Sequence, residues 1–238
     1  MKKLQVLFIG NSHTYLHYMP RMLAELVLAS GRGIEPEFDQ SVGQGVSLAQ
    51  HWQNNQTRKK IRRNKWDFIV LQDRSGGPLE ALPSFQRHAR LLAAEINRIG
   101  SRPIYFLTWA NRDRPQDQPI LNDAYRAMAA EGNCLLAPVG PAWTIACEKW
   151  PNLVLHHRDG RHANPAGAYL TACVFYSTLF QADAAGLPAN FFIKGKMRPN
   201  QDRRQAHQLQ QAAWDAVLQE LPFTDLHFKS PSSPLSLQ

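Results

Sequence analysis

Residues Leu4–Tyr15 read LQVLFIGNSHTY, and the break inside that stretch decides the fold. From Val6 to Gly10, four of five residues are hydrophobic, and an apolar run of this length closed by glycine reads as a buried strand. Asn11, Ser12 and His13 arrive directly after it. In parallel α/β sheets, functional groups collect at the carboxyl ends of strands, where the chain leaves for the next helix. A candidate site therefore sits at the end of the first strand. Gly10 can take the tight turn, which leaves Ser12 at or near the N-terminus of the following segment, where free N–H groups and the helix dipole favour developing negative charge. A serine so placed can be a nucleophile; the competing reading makes Asn11 or Ser12 a helix cap. Asn11 likewise reads either as a fastener of the Ser12 loop through its side chain or as an ordinary turn residue.

Working outward, strand-length apolar runs recur at 34–42 (IEPEFDQSV), 67–72 (DFIVLQ), 102–109 (RPIYFLTW) and 133–140 (NCLLAPVG), with helical spacing between them. Pro20 suits the first turn of a helix continuing as RMLAELVLAS, with Gly31 as its stop. In 84–100, Phe85, Ala89, Leu92 and Ile96 recur at three- and four-residue steps and the segment closes on Gly100. Amphipathic crossovers between aliphatic strands predict a mostly parallel sheet in one three-layer α/β/α domain over 1–228. Residues 203–221 form the last helix, with Leu209, Ala213, Trp214 and Val217 on one face. The end, 229–238 (KSPSSPLSLQ), has a Ser and Pro content that cannot build a core and is expected to be disordered.

The chain has 238 residues, 44% hydrophobic content and a formal charge of +8, from 27 Lys and Arg against 19 Asp and Glu. That excess suits acidic substrates or polyanions but carries no fold information. Its densest stretch, Arg58–Lys65, reads as the solvated end of a helix, with nucleic acid as the rival reading. Cys134, Cys147 and Cys173 form no C-x-x-C pair, so neither a zinc knuckle nor a disulfide framework is indicated and buried free thiols are expected. The opening MKK is followed by too short an apolar run, and no small-residue cleavage site, for a signal peptide, which makes the expected location cytoplasmic. No run approaches the eighteen or so apolar residues of a membrane span. GQGVSL lacks the third small residue of a dinucleotide fingerprint and no phosphate-binding P-loop motif occurs, so no nucleotide cofactor is expected. No RNA-recognition or helix-turn-helix pattern supports nucleic acid.

A second polar cluster lies far downstream. In HHRDGRHANPAG, Asp159 and His162 are three residues apart, just ahead of a helix marked by Asn164 as cap and Pro165 in its first turn. A Ser–His–Asp arrangement would have His162 take the Ser12 proton while Asp159 fixes the imidazole. Metal is the rival chemistry, since His156, His157, Asp159 and His162 fall within seven residues and His13 could join them. Against it stand the missing H-E-x-x-H spacing and the adjacency of His156 and His157, which in an extended segment points them to opposite faces. A non-catalytic domain holding an acidic glycan or nucleic acid is the third reading.

GNSH and DGRHANPAG together resemble the first and last motif blocks of the SGNH (GDSL-type) hydrolases. VGQGVSLAQHW, WDFIVLQDRS, YFLTWA, APVGPAW and DGRHANPAGAYLTACVFYSTLF are similar, in this order, to a little-characterised bacterial branch of that superfamily, across roughly residues 4 to 181. The resemblance implies a flavodoxin-like five-stranded sheet of order 2-1-3-4-5. It implies Ser12 as nucleophile, His162 as base and Asp159 as its partner, with no cofactor or metal. It also implies an oxyanion hole from the Ser12 N–H, a glycine N–H after the second strand and an asparagine amide after the third. Gly45 matches the glycine and Gly43 competes with it. The asparagine is missing, because LQDRSGG stands in its place; Gln72 offers an amide on a longer arm, or is merely a strand-end polar residue, and Asn111 is the substitute. Pocket candidates are Asn11, His13, Trp109 and Asn111; Trp109, His51 and Trp52 lie near strand ends and could shape a sugar-stacking pocket, although aromatic residues there are more often core. The implied substrate is a small acyl ester, with acetylated carbohydrate leading by analogy. Neither a nucleic-acid nor a membrane partner is expected, and oligomeric state is left open.

Overall fold

The computed structural model describes residues 2–63, 65–198 and 201–221. Strand β1 (Lys2–Gly10) runs into a single helical turn, α1 (Ser12–Tyr15), then a 3₁₀ turn (Leu16–Tyr18) and α2 (Met19–Ala29). Next come β2 (Ile34–Val42), α3 (Leu48–Gln53), α4 (Asn55–Arg63), β3 (Phe68–Leu71), α5 (Gly77–Glu80) and α6 (Leu82–Arg98). They are followed by β4 (Arg102–Leu107), a 3₁₀ turn (Pro115–Asp117), α7 (Gln118–Gly132), β5 (Leu135–Pro138) and α8 (Val139–Lys149). A loop carrying Asp159 and His162 leads to α9 (Pro165–Phe180), a small hairpin of β6 (Phe191–Ile193) and β7 (Lys196–Arg198), and α10 (Arg203–Glu220).

The main sheet has the order β2-β1-β3-β4-β5 and every pairing in it is parallel, as the resemblance implied. Because strand side chains alternate, each central strand feeds two cores. Val6, Phe8, Val70, Ile104 and Phe106 pack with α2, α8, α9 and α10; Leu7, Ile9, Ile69, Leu71, Tyr105 and Leu107 pack with α3, α4, α6 and α7. Helix α9 is buried from Ala166 to Leu179, enclosed by α2, α8 and α10, which explains its nearly uniform apolar sequence. Leu209, Ala213 and Val217 of α10 are buried with Trp214 packed alongside, the face the spacing predicted.

Differences from the sequence reading have local causes. The fifth strand ends at Pro138 rather than running to residue 140, since proline cannot extend the ladder and Val139 begins α8. The fourth strand ends at Leu107, where Thr108 and Ala110 turn to the Gln118 side chain, whose amide donates to the Thr108 carbonyl at 3.2 Å and accepts from the Ala110 N–H at 2.7 Å. The β6–β7 hairpin escaped the sequence because its strands are three residues each and its turn is Lys194-Gly195, both at positive φ, rather than an Asn-Gly signal. The basic stretch closes α4, with Lys60, Arg62 and Arg63 in its last turn and ion pairs from Lys60 to Asp39 and Arg62 to Glu95. Of the three thiols only Cys173 is buried; Cys147 is exposed on α8, a correction to the expected burial. Residues 229–238 lie outside the described residues, and no described helix is long and apolar enough to cross a membrane.

Two features aim the chain at the strand ends. Asn164 caps α9 by accepting the Gly167 N–H at 2.9 Å, and Gly167 itself lies where a Cβ would come within 2.6 Å of both the Leu155 carbonyl and the Trp143 ring. Gly167→Ala should therefore lower stability by about 1–3 kcal/mol through overpacking, read as a fall in the urea midpoint at unchanged slope. An unchanged midpoint would mean α9 can move off this contact freely.

Candidate active site

Gly10 ends β1 with its carbonyl doubly anchored. It accepts the Gly43 N–H at 3.3 Å and the His51 Nε2–H at 2.9 Å. Asn11 follows in extended geometry and caps α1, its Oδ1 accepting from the His13 N–H at 3.1 Å. Its Nδ2 donates to the Val46 carbonyl at 3.1 Å and its backbone N–H to Gln72 Oε1 at 2.8 Å, so both sheet neighbours hold the turn. Asn11 thus fastens the Ser12 loop through its side chain. Because α1 is one turn long, polarity at Ser12 comes from individual N–H groups rather than from a long helix dipole.

The second loop reaches Ser12 from the far end of the chain. It folds back on itself through His157 N–H to the His162 carbonyl, 2.7 Å, and a bridge pairing His156 with Ala163. Four further bonds tie it down: Arg112 N–H to the Gly160 carbonyl, Trp109 Nε1–H to the Arg161 carbonyl, His156 Nε2–H to the Ala110 carbonyl and His17 Nε2–H to the Ala163 carbonyl, at 2.8–3.1 Å. Ser12 Oγ lies 2.9 Å from His162 Nε2, and His162 Nδ1 lies 2.7 Å from Asp159 Oδ2. Asp159 Oδ1 accepts the N–H groups of Arg161 and His162 at 2.9 and 3.0 Å. Desolvation works to raise the Asp159 carboxyl, yet the His162 hydrogen bond, these two N–H groups and His157 together hold it well below the usual carboxylate range. With the His162 Nδ1 proton turned to this carboxylate, the Nε2 lone pair faces the serine hydroxyl.

Ser12 and His162 open onto a cleft of about 390 Å³, shared with Tyr15, Gln44, Gly45, Arg74 and Arg161 among others. A neighbouring cleft of about 350 Å³ shares Gly45 and Arg74 and extends past Ser47 and Ser84.

No protein-family model and no curated protein matches the chain. Among solved structures it is similar to a protein of Slackia heliotrinireducens assigned to the SGNH hydrolases, at 26% identity and a TM-score of 0.64, covering 75% of this chain and 100% of that one. The chain belongs to the SGNH-type hydrolase superfamily. A DUF4886 family protein of Bacteroides uniformis shares the fold at 21% identity and a TM-score of 0.70, over 94% of this chain and 99% of that one. An acetyl xylan esterase, AlAXEase, shares it at 16% identity and a TM-score of 0.60, over 74% of this chain and 98% of that one.

Within this SGNH-type fold several expected site residues fall elsewhere. Gln72 is fully buried and both of its amide hydrogens are spent, on Asn11 Oδ1 and on the Asp73 carbonyl, so the expectation of an oxyanion donor is corrected: it braces the Ser12 loop from β3. Between the two glycines, Gly43 gives its N–H to Gly10, whereas Gly45, at φ +63°, lines the cleft. Trp109 is 2% exposed, stacked on Trp143 at 4.0 Å and against His13 at 4.7 Å, and so supports the site from behind instead of forming its wall. His51 is a buried brace, Trp52 packs under Arg58, and neither they nor Asn111 line either cleft. The histidine cluster does not converge: His156 faces the Ala110 carbonyl and the Trp143 ring edge, while His157 and His162 both turn to Asp159. Among the described residues no three His, Cys, Asp or Glu side chains are grouped to hold an ion.

The sequence reading missed Arg74, Ser75 and Gln44 on the cleft wall, and His17 as the clasp between the two loops. Arg74 and Ser75 directly follow a strand end, the signal that located Ser12, whereas His17 carries no sequence signal at all. His13, buried beside His162 with ring centroids 5.4 Å apart, is pushed down to about 3 by burial and then by His162, which the Arg161 carbonyl and Asp159 only partly offset. Folded His13 is thus neutral where an unfolded histidine, below about pH 6.5, takes up a proton, so acid favours the unfolded chain with a slope of up to about 1.4 kcal/mol per pH unit. Urea unfolding between about pH 6.5 and 4 should show stability falling more steeply in the natural chain than in His13→Phe, which keeps a stacked ring but has no proton to gain. Equal slopes would mean that His13 is already protonated in the fold.

Proposed function

We propose that this hydrolase is a serine esterase acting on a small acyl ester. The observation that carries the reading is the unbroken relay from Ser12 Oγ through His162 to Asp159, at 2.9 and 2.7 Å, opening on a cleft. Ser12 Oγ attacks the ester carbonyl carbon as its proton passes to His162 Nε2, and Asp159 stabilises the imidazolium so formed. The oxyanion takes hydrogen bonds from the Ser12 N–H and the Gly45 N–H. His162 then gives its proton to the departing alcohol oxygen as the ester C–O bond breaks, and a water activated by the same imidazole releases the acid from the acyl-enzyme. No residue on this path needs a metal or an organic cofactor. The fold shared with an acetyl xylan esterase supports an acetylated carbohydrate as the substrate class.

Ser12→Ala and His162→Ala should each lower kcat for p-nitrophenyl acetate by something on the order of 10⁴ to 10⁶, and the double variant by little more, since members of such a unit act together. Turnover that survives Ser12→Ala, or that vanishes with chelator while Ser12 is intact, would overturn the serine reading.

A further inference from the structure

The excess positive charge of this chain finds a use at the cleft. Two arginines, Arg74 and Arg161, line it beside Ser12 and His162, and no aspartate or glutamate does. Their states differ. Arg74 is ion-paired with Glu80, so its charge is largely answered. Arg161 is exposed and has no acidic partner within ion-pairing distance among the described residues. The one carboxylate of its own loop, Asp159, is already engaged by His162, by His157 and by two backbone N–H groups. Arg158 and Arg112 flank the same loop, joined by a hydrogen bond from Arg112 Nη2 to the Arg158 carbonyl, and they too lack acidic partners among the described residues. The cationic side of the cleft is therefore the His162 side.

Reaction geometry says which part of the substrate meets that side. His162 Nε2 must hand its proton to the departing oxygen, so the alcohol portion lies next to His162 and thus next to Arg161. A guanidinium without a counter-ion, at the mouth of a concave site, draws a carboxylate or other anion and can grip it with two parallel N–H bonds. We infer that the substrate is an acyl ester whose alcohol portion carries a negative charge, with Arg161 as the residue that selects it. This rests on the esterase reading and adds the charge and its position to it.

The test compares 4-acetoxybenzoate with 4-acetoxybenzamide, two acetate esters whose leaving groups differ in charge at nearly constant shape. The natural chain should favour the benzoate in kcat/KM by about tenfold at low salt, and the preference should shrink as salt is raised. Arg161→Gln should bring the ratio toward one, Arg161→Glu should invert it, and Arg161→Lys should keep most of it. Turnover of both esters at equal kcat/KM by the natural chain, or a ratio that Arg161→Glu leaves unchanged, would overturn the inference while leaving the esterase reading intact. Failure to hydrolyse either ester would overturn both.

Discussion

A hydrogen bond between residues 150 positions apart, Ser12 and His162, is the constraint on which the site depends. Neither side chain is held by its own loop alone. The serine turn is pinned by Gly43 and Gln72 at neighbouring strand ends and by His51 of α3, and the histidine loop is pinned from the side by Arg112, Trp109 and Ala110 beyond β4. His17 then joins the two directly through Ala163. The chain spends many of its buried polar groups on this convergence, and the side chains of Asn11, His51, Gln72 and Trp109 each find a partner there.

That arrangement separates two kinds of work. Gln72, His51 and Trp109 are deep in the protein, where their polar atoms fix backbone, while Asn11 does the same work at the lining of the cleft, which His13 also reaches, as the sequence suggests for both. Gly45, Arg74 and Arg161 are on the cleft wall, where they are free of the sheet and can meet what enters. His13 differs from both kinds: its imidazole is buried and neutral, and neither ring nitrogen has a partner in hydrogen-bond geometry among the described residues. It places an uncharged ring beside His162, so that no second cation opposes the charge His162 would acquire.

Much of this was legible in the sequence because it follows from periodicity and strand ends. Apolar runs located the five strands, and the double-sided burial of Val6 to Ile9 is what continuous, rather than alternating, hydrophobicity means. Asp159, His162 and the Asn164 cap were legible because loop chemistry and helix starts leave short local signatures. The rest depended on distances that spacing does not encode. Gln72 looked like a donor facing the site or a strand-end polar residue, and its amide is saturated by Asn11 at the end of β1 and by the carbonyl of its own neighbour Asp73. Trp109 could be read as pocket wall or as core, and Trp143, 34 positions later, decides for core by stacking on it. Arg74 and Arg161 were visible only as part of a diffuse net charge until the fold set them at one opening.

The outermost strand on one side of the sheet has a consequence for the molecule in crowded solution. β2 carries Pro36, which removes a donor from the row of backbone groups, and acids at Glu35, Glu37 and Asp39, spaced two apart and so lined up on one face. A like copy approaching edge to edge would meet a gap in the hydrogen-bond ladder at Pro36 and a row of acids of which Glu37 and Asp39 are already ion-paired, with Lys3 and Lys60. The β2 edge of the sheet is thus poorly suited to recruiting a further strand.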